Sequence, residues 1–87
     1  MEPWYVYILE CAGDKLYVGI SNNVQERFAK HAAGKGATFT KINRPVRILA
    51  VNIYPSKSDA AKVESQLKRK PRSHKLAWVE HYSASSI

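Results

Sequence analysis

The chain has 87 residues and a mass of 9.8 kDa, which suits one small domain with a thin core and excludes a large cofactor-binding fold. Fourteen Lys and Arg against seven Asp and Glu give a net charge of +7, which indicates a polyanionic partner, most often nucleic acid. The one cysteine, Cys11, excludes an intrachain disulfide and a cysteine-based zinc cage. The sequence has neither an apolar run that could span a membrane nor the start of a signal peptide, so we expect a cytoplasmic protein.

The first half of the chain predicts a β-hairpin followed by a helix. Residues 4–10 and 16–20 are rich in aromatic and β-branched side chains, and turn-forming residues lie between them. Asn23 and Glu26 have the spacing of a capping box, which predicts a helix over residues 24–33 that stops at the following glycines.

The second half predicts a loop over residues 35–45, a strand over 46–54 and two helices. Ser58 is the expected N-cap of the first of these helices, which ends before Pro71, and Ser73 is expected to cap a short last helix that runs through Trp78. The predicted fold class is α+β, with a three-stranded, mainly antiparallel sheet flanked by helices in the order β-β-α-β-α-α. We expect residues 1–82 to form a single domain and residues 83–87 to form a short flexible tail.

Polar residues interrupt the apolar stripes of two predicted helices. Arg27 and His31 share a helix face with Val24 and Phe28, and Glu64 lies within the apolar stripe of the helix after the third strand. A charge on a core-facing stripe is costly unless it is paired or borders a cleft.

Two structural interpretations compete with a functional one for these charges. Arg27 and Glu64 could form a semi-buried ion pair between the helices, or Glu64 could pair with Lys68 one turn later, which would contribute only tenths of a kcal/mol. With a structural Arg27–Glu64 pair, the protein would be a basic interaction module without catalysis.

Tyrosines mark the same face of both hairpin strands. Period-two alternation puts Tyr7 and Tyr17 on one face, and we expect them to lie nearly opposite each other. Gly19, on that face, would leave the sheet surface open beside Tyr17.

These residues together resemble the GIY-YIG nuclease superfamily, and in particular its small stand-alone bacterial members. Tyr-Val-Tyr at 5–7 and Tyr-Val-Gly at 17–19 are similar to the paired signature of the family, and Arg27, His31 and Glu64 follow at the family's positions. The resemblance covers about residues 3–78. It implies a metal-dependent endonuclease-like domain that hydrolyses phosphodiester bonds in DNA, with roles in DNA repair or recombination.

The resemblance also implies a catalytic set of Tyr7, Tyr17, Arg27, His31 and Glu64. Glu64 would hold one divalent ion, Mg²⁺ or Mn²⁺, and Arg27 would grip a phosphate oxygen. Tyr17 corresponds to the family's candidate base, with Tyr7 and His31 hydrogen-bonding around it. A free tyrosine, with a pKa of about 10, is a poor base at neutral pH, so His31 is the rival candidate.

The sequence departs from the family pattern at three places. Tyr5 replaces the first glycine, Ile20 stands where DNA-repair members have a lysine, and the expected asparagine is missing after Glu64. Lys35 is a candidate substitute for that lysine. The departures motivate an alternative, a nucleic-acid-binding module of the same fold with little or no cleavage.

Basic residues outside this set are the candidates for holding DNA, or RNA, through phosphate contacts that carry no sequence information. No base-reading module is evident, so structure-directed or weakly specific binding is expected. The candidates are Lys30, Lys35, Lys41, Arg44, Lys68, Arg69, Lys70 and Arg72.

Overall fold

The computed structural model describes residues 2–83, in which three strands form one antiparallel sheet. The strands are β1 (Trp4–Cys11), β2 (Lys15–Ser21) and β3 (Pro45–Tyr54). Their order is β2-β1-β3, so the first strand is central and the hairpin strand β2 is an edge. The predicted three-stranded antiparallel sheet is confirmed.

Four helices accompany the sheet, namely α1 (Val24–Ala32), α2 (Thr38–Ile42), α3 (Lys57–Lys68) and α4 (Arg72–His81). The predicted order β-β-α-β-α-α is confirmed by α1, β3, α3 and α4. The five-residue α2 is an addition, and the prediction of a continuous loop there was wrong. A helix this short is below the length at which periodicity is detectable, and its two threonines favour strand or turn.

The sheet is covered on both faces, and each face has its own apolar cluster. Val6 and Ile8 point to α3 and α4, where they pack with Leu67. Tyr7 and Leu9 point to the opposite face and pack with the half-buried apolar residues of α1. Because side chains alternate along a strand, Tyr7 and Tyr17 face α1 rather than α3.

Side-chain capping fixes where two helices begin. Asn23 accepts a hydrogen bond from the backbone N–H of Glu26 at 3.1 Å, as predicted for α1. The prediction of Ser58 as the cap of α3 was wrong, because Ser56 Oγ accepts from the Asp59 N–H at 3.1 Å and starts the helix earlier.

The last helix also differs from its prediction. Its N-cap is Pro71 rather than Ser73, and it runs past Trp78 to His81 because Val79 still packs against the core and Trp78 contacts Tyr82. Ser83, the first residue of the predicted tail, forms a bridge with Ala50, and residues 84–87 lie outside the described part of the chain. No helix within residues 2–83 is long and apolar enough to cross a membrane.

Candidate active site

Tyr7 lies at the centre of the α1 face of the sheet, with only 1% of its surface exposed. Its cross-strand partner is Gly19, and a Cβ atom at Gly19 would collide with the Tyr7 ring and hydroxyl. The expectation that Gly19 leaves an open sheet surface was therefore wrong. The glycine makes room for the Tyr7 side chain, which fills that space.

The two tyrosines are neighbours, but not in the predicted register. Tyr17 pairs with Leu9, two residues from Tyr7, so the tyrosines lie diagonally on the same face. Their ring centroids are 6.4 Å apart, which aromatic side chains can bridge diagonally. The predicted face is confirmed and the predicted opposition is corrected.

His31 is buried beside Tyr7, on the inward face of α1. Its Nε2 lies 3.0 Å from the Tyr7 hydroxyl oxygen, and its Nδ1 lies 2.8 Å from Thr40 Oγ1. Gly36 allows this position, because a Cβ atom there would collide with the imidazole ring. Two glycines thus accommodate the two side chains that meet at the Tyr7–His31 contact.

The hydrogen bonds around His31 favour one neutral tautomer. Thr40 Oγ1 donates to the carbonyl oxygen of Ala37 at 2.8 Å, so its lone pair can accept a hydrogen bond from the Nδ1–H of His31. Nε2 then accepts from the Tyr7 hydroxyl. The competing arrangement, in which the Ala37 N–H donates to Nδ1, has a longer separation of 3.3 Å.

The electrostatics of the buried pair agree with that assignment. Burial, and then the positive charge of Arg27, lowers the pKa of His31 and keeps the ring neutral. Burial raises the pKa of Tyr7, the neighbouring Tyr17 and Glu64 raise it further, and Arg27 opposes them. Tyr7 therefore remains a protonated donor. The charges of Arg27 and Glu64 thus act on the Tyr7 hydroxyl in opposite directions.

Glu64 comes from α3 and is half-buried, with 22% of its side chain exposed. It pairs with Lys68 at 3.2 Å, as one of the two structural interpretations predicted. Within residues 2–83, Arg27 and Glu64 form no ion pair, so the other interpretation was wrong. A partly exposed i,i+4 pair contributes less than about 1 kcal/mol, so it does not by itself explain a carboxylate in this stripe.

Tyr17 lies between the buried residues and the surface. Its ring makes an edge contact with His31 at 5.1 Å and stacks on Phe39 at 5.8 Å, and Lys68 Nζ is 5.8 Å from the ring centre. Its hydroxyl has no hydrogen-bond partner in the described part of the chain. Tyr17 is thus the tyrosine whose hydroxyl is available to an incoming group.

The eight candidate DNA-binding residues are all exposed, but only some of them form ion pairs with other side chains. Lys30 pairs with Glu26 and Lys68 with Glu64. Arg72 donates to the carbonyl and carboxylate oxygens of Asp14, at 2.7 and 3.1 Å, and ties α4 to the β1–β2 turn. The rest form no ion pair within residues 2–83, and they are Lys35, Lys41, Arg44, Arg69 and Lys70.

Thr40 and Phe39 are not identified from the sequence, because both lie in α2, where the sequence predicts a loop. Thr40 is 1% exposed and hydrogen-bonds His31, and Phe39 stacks on Tyr17. The signal available was the pair of glycines followed by an aromatic residue between threonines, which is unusual for a solvated loop. The close approach that Gly36 permits could not be read without the fold.

No group of three or more His, Cys, Asp or Glu side chains that could hold a metal occurs among residues 2–83. A metal at this site would therefore depend on Glu64 with ligands from outside the chain. Mg²⁺ is often bound in this way, because it retains several waters and uses one or two carboxylates together with substrate phosphates.

Comparison with known proteins supports the fold and identifies the family. The family model of the GIY-YIG catalytic domain matches residues 3–77. A UPF0213 protein of Xanthomonas axonopodis pv. citri is 42% identical over 80 residues, which cover 92% of this chain and 78% of that protein. A UPF0213 protein of Cupriavidus pinatubonensis is 47% identical over 77 residues, which cover 88% of this chain and 86% of that protein.

A solved structure is also similar over nearly the whole chain. The solution NMR structure of a UPF0213 protein from Bacillus halodurans has a TM-score of 0.60 and 38% sequence identity, and the match covers 94% of this chain and 87% of that one. The resemblance drawn from the hairpin tyrosines, Arg27, His31 and Glu64 is thereby confirmed at the level of the family. The chain belongs to the GIY-YIG family and carries its nuclease-type catalytic domain.

Proposed function

We propose that this protein is a metal-dependent endonuclease that hydrolyses phosphodiester bonds in DNA, with structure-directed or weak sequence preference. The observation that carries the proposal is the meeting of Tyr7, Tyr17 and His31, with the charges of Arg27 and Glu64 acting on Tyr7. Three separate elements, the hairpin, α1 and α3, contribute these residues. Phosphodiester hydrolysis needs such a combination of a base, a phosphate-binding cation and a carboxylate for a metal.

Glu64 fits the binding of one divalent ion, Mg²⁺ or Mn²⁺. Its carboxylate is partly exposed. Its one ion-pair partner within residues 2–83 is Lys68, whose side chain is half exposed. Nucleases of this family generally use divalent metal ions. When bound, such an ion stabilises negative charge on the phosphate and on the leaving oxygen.

In its phenolate form, Tyr17 is the better candidate to accept a proton from the attacking water, which would return it to the neutral hydroxyl. Both ring nitrogens of His31 are occupied inside the protein, by Tyr7 and Thr40, and the ring is 1% exposed. In this arrangement His31 orients Tyr7 and packs against the edge of Tyr17, without direct access to water. The structure thus argues against the rival assignment of His31 as the base.

Arg27 has the role of a phosphate ligand. Its guanidinium acts on the Tyr7 hydroxyl from the half-buried face of α1, and no carboxylate within residues 2–83 pairs with it. A guanidinium without an acidic partner can donate to a non-bridging oxygen and stabilise charge that develops in the transition state.

One sequence feature favours a second function, DNA binding with negligible cleavage. Ile20 stands where DNA-repair members of the family have a lysine, and α3 and the residues after it lack the expected asparagine. In that case the same surface would bind DNA without cleaving it.

The deciding experiment is a cleavage assay on branched and nicked DNA with Mg²⁺ or Mn²⁺, which compares the wild type with Tyr17→Phe. We expect the wild type to cleave and Tyr17→Phe to retain its fold and DNA affinity while losing rate, because only the hydroxyl is removed. Binding without cleavage in the wild type would favour the second function instead.

A further inference from the structure

Phe39 lies beside Tyr17 at the edge of the proposed active site and is partly exposed. Its ring is stacked on that of Tyr17, at 5.8 Å between centroids and 27° between planes, yet 37% of the residue is exposed. One face of the ring therefore packs on Tyr17, and a substantial part of the side chain remains accessible to solvent.

The position of Phe39 is fixed by its neighbour in the sequence. Thr40 is buried and is bonded to both His31 and the carbonyl oxygen of Ala37. The short helix α2 is thereby anchored to α1 by hydrogen bonds at the residue adjacent to Phe39. An exposed ring held in one orientation loses less conformational freedom when a ligand stacks on it.

Positive charge accompanies this ring. Lys35 and Lys41 lie four residues before and two residues after it, both are exposed, and neither forms an ion pair within residues 2–83. A third cation, Lys68, lies over the Tyr17 ring on which Phe39 stacks, with its Nζ 5.8 Å from the ring centre. Aromatic platforms flanked by cations are typical of surfaces that bind single-stranded nucleic acid, because bases stack on the ring and phosphates contact the cations.

We propose that Phe39 is a stacking platform for an unpaired base adjacent to the phosphate held by Arg27. The preferred substrate is then DNA with a single-stranded or splayed nucleotide at the site, such as a flap or a branch point. Bases in an intact duplex are already stacked on one another and gain nothing from Phe39 unless they are extruded. That the adjacent phosphate is the one to be cleaved rests on the proposed function, but stacking of a base on Phe39 does not require cleavage.

The test measures binding in the presence of EDTA, so that no cleavage occurs. The probes are a flapped DNA with 2-aminopurine at the first unpaired position and a fully paired duplex of equal length and charge. For the wild type we expect tighter binding of the flapped DNA and a change in 2-aminopurine fluorescence on binding. Phe39→Leu, which fills similar space without an aromatic face, should weaken flap binding by about 5-fold to about 100-fold and leave duplex binding unchanged.

Two further variants separate stacking from structural effects. Phe39→Trp should restore flap preference, because its ring can also stack a base. Ile42→Ala removes another exposed apolar side chain from the same helix and should leave both affinities unchanged. Thermal melts of each variant establish that the fold is intact.

Equal loss of flap and duplex affinity in Phe39→Leu, or no loss in either, would overturn the stacking proposal. A flap preference that depends on Phe39, found in a protein that never cleaves DNA with metal, would support the platform and overturn only the endonuclease activity.

Discussion

The hydroxyl oxygen of Tyr7 and the Nε2 atom of His31 lie 3.0 Å apart in the interior between the sheet and α1, and each residue is 1% exposed. Neither side chain can exchange this partner for water without opening the fold. The contact joins the central strand to the first helix, so the geometry of the proposed site is part of the packing of the domain.

The buried imidazole makes the stability of the protein depend on pH. The pKa of His31 is lowered in the folded state, mainly by burial, so between the folded and unfolded values the unfolded chain binds more protons. This contribution to stability is complete above the unfolded pKa of about 6.5 and is lost as the pH falls through the folded value. Thermal melts between about pH 8 and pH 5 should therefore show a falling melting temperature.

The His31→Gln variant tests the origin of that pH dependence. It should flatten the fall in melting temperature, while His74→Gln, at an exposed position of α4, should leave the pH dependence as it is in the wild type. A wild-type profile that is flat over this range, or an equal effect of both variants, would contradict the role assigned to His31.

Thr40 is expected to position His31 rather than contact substrate. Thr40→Val keeps the shape but removes the oxygen that accepts from Nδ1, so a buried donor loses its partner. We expect a loss of about 1–3 kcal/mol in the free energy of unfolding, measured by denaturant titration. Thr40→Ser restores the hydroxyl and should recover most of that loss and of any cleavage rate. If Thr40→Val and Thr40→Ser are equally unstable, the methyl group matters and the hydrogen bond does not.

The sequence was sufficient to predict the sheet, the main helices and the face that bears the tyrosines. Alternation in the first strand and the capping pattern at Asn23 are local signals, and the structure retains both. The cross-strand register could not be predicted to the residue, since it depends on a turn with positive φ at Gly13 and Asp14. The start of α3 was misplaced because Ser56 and Ser58 both have the chemistry of a cap.

The polar members of the site were identifiable from the sequence because they interrupt apolar stripes. Arg27, His31 and Glu64 each occupy a core-facing position where a charged or titratable group needs an explanation. Thr40 and Phe39 could not be identified in this way, because neither is a polar residue that interrupts the apolar stripe of a predicted helix. Their roles depend on a one-turn helix whose formation is decided by tertiary contacts with His31 and Tyr17.

DNA binding should weaken steeply with salt. Five of the eight candidate basic residues are free of ion pairs within residues 2–83, since three pair with Glu26, Glu64 and Asp14. With roughly five phosphate contacts, the slope of log K against log salt concentration should be about −4 to −5. Fluorescence anisotropy with a labelled duplex at several salt concentrations measures this slope.

Substitution of two of these residues should reduce the slope by a predictable amount. Replacing both Arg69 and Lys70 by Ala should change it to about −3 and weaken binding to all sequences alike. Arg47→Ala, which removes an arginine already paired with Glu10, is the matched control and should change the slope less. An affinity that does not depend on salt would rule out this mode of binding.

The central claim is that Glu64 serves a metal-dependent cleavage reaction, and Glu64→Gln tests it most directly. The variant keeps the size of the side chain and removes the charge, and the pair with Lys68 that it breaks is partly exposed. We expect metal-dependent cleavage of branched DNA to be abolished, while DNA affinity is unchanged or slightly tighter and the free energy of unfolding falls by less than about 1 kcal/mol. A Glu64→Gln protein that melts far below the wild type, with no cleavage detected in the wild type under Mg²⁺ or Mn²⁺, would contradict the account.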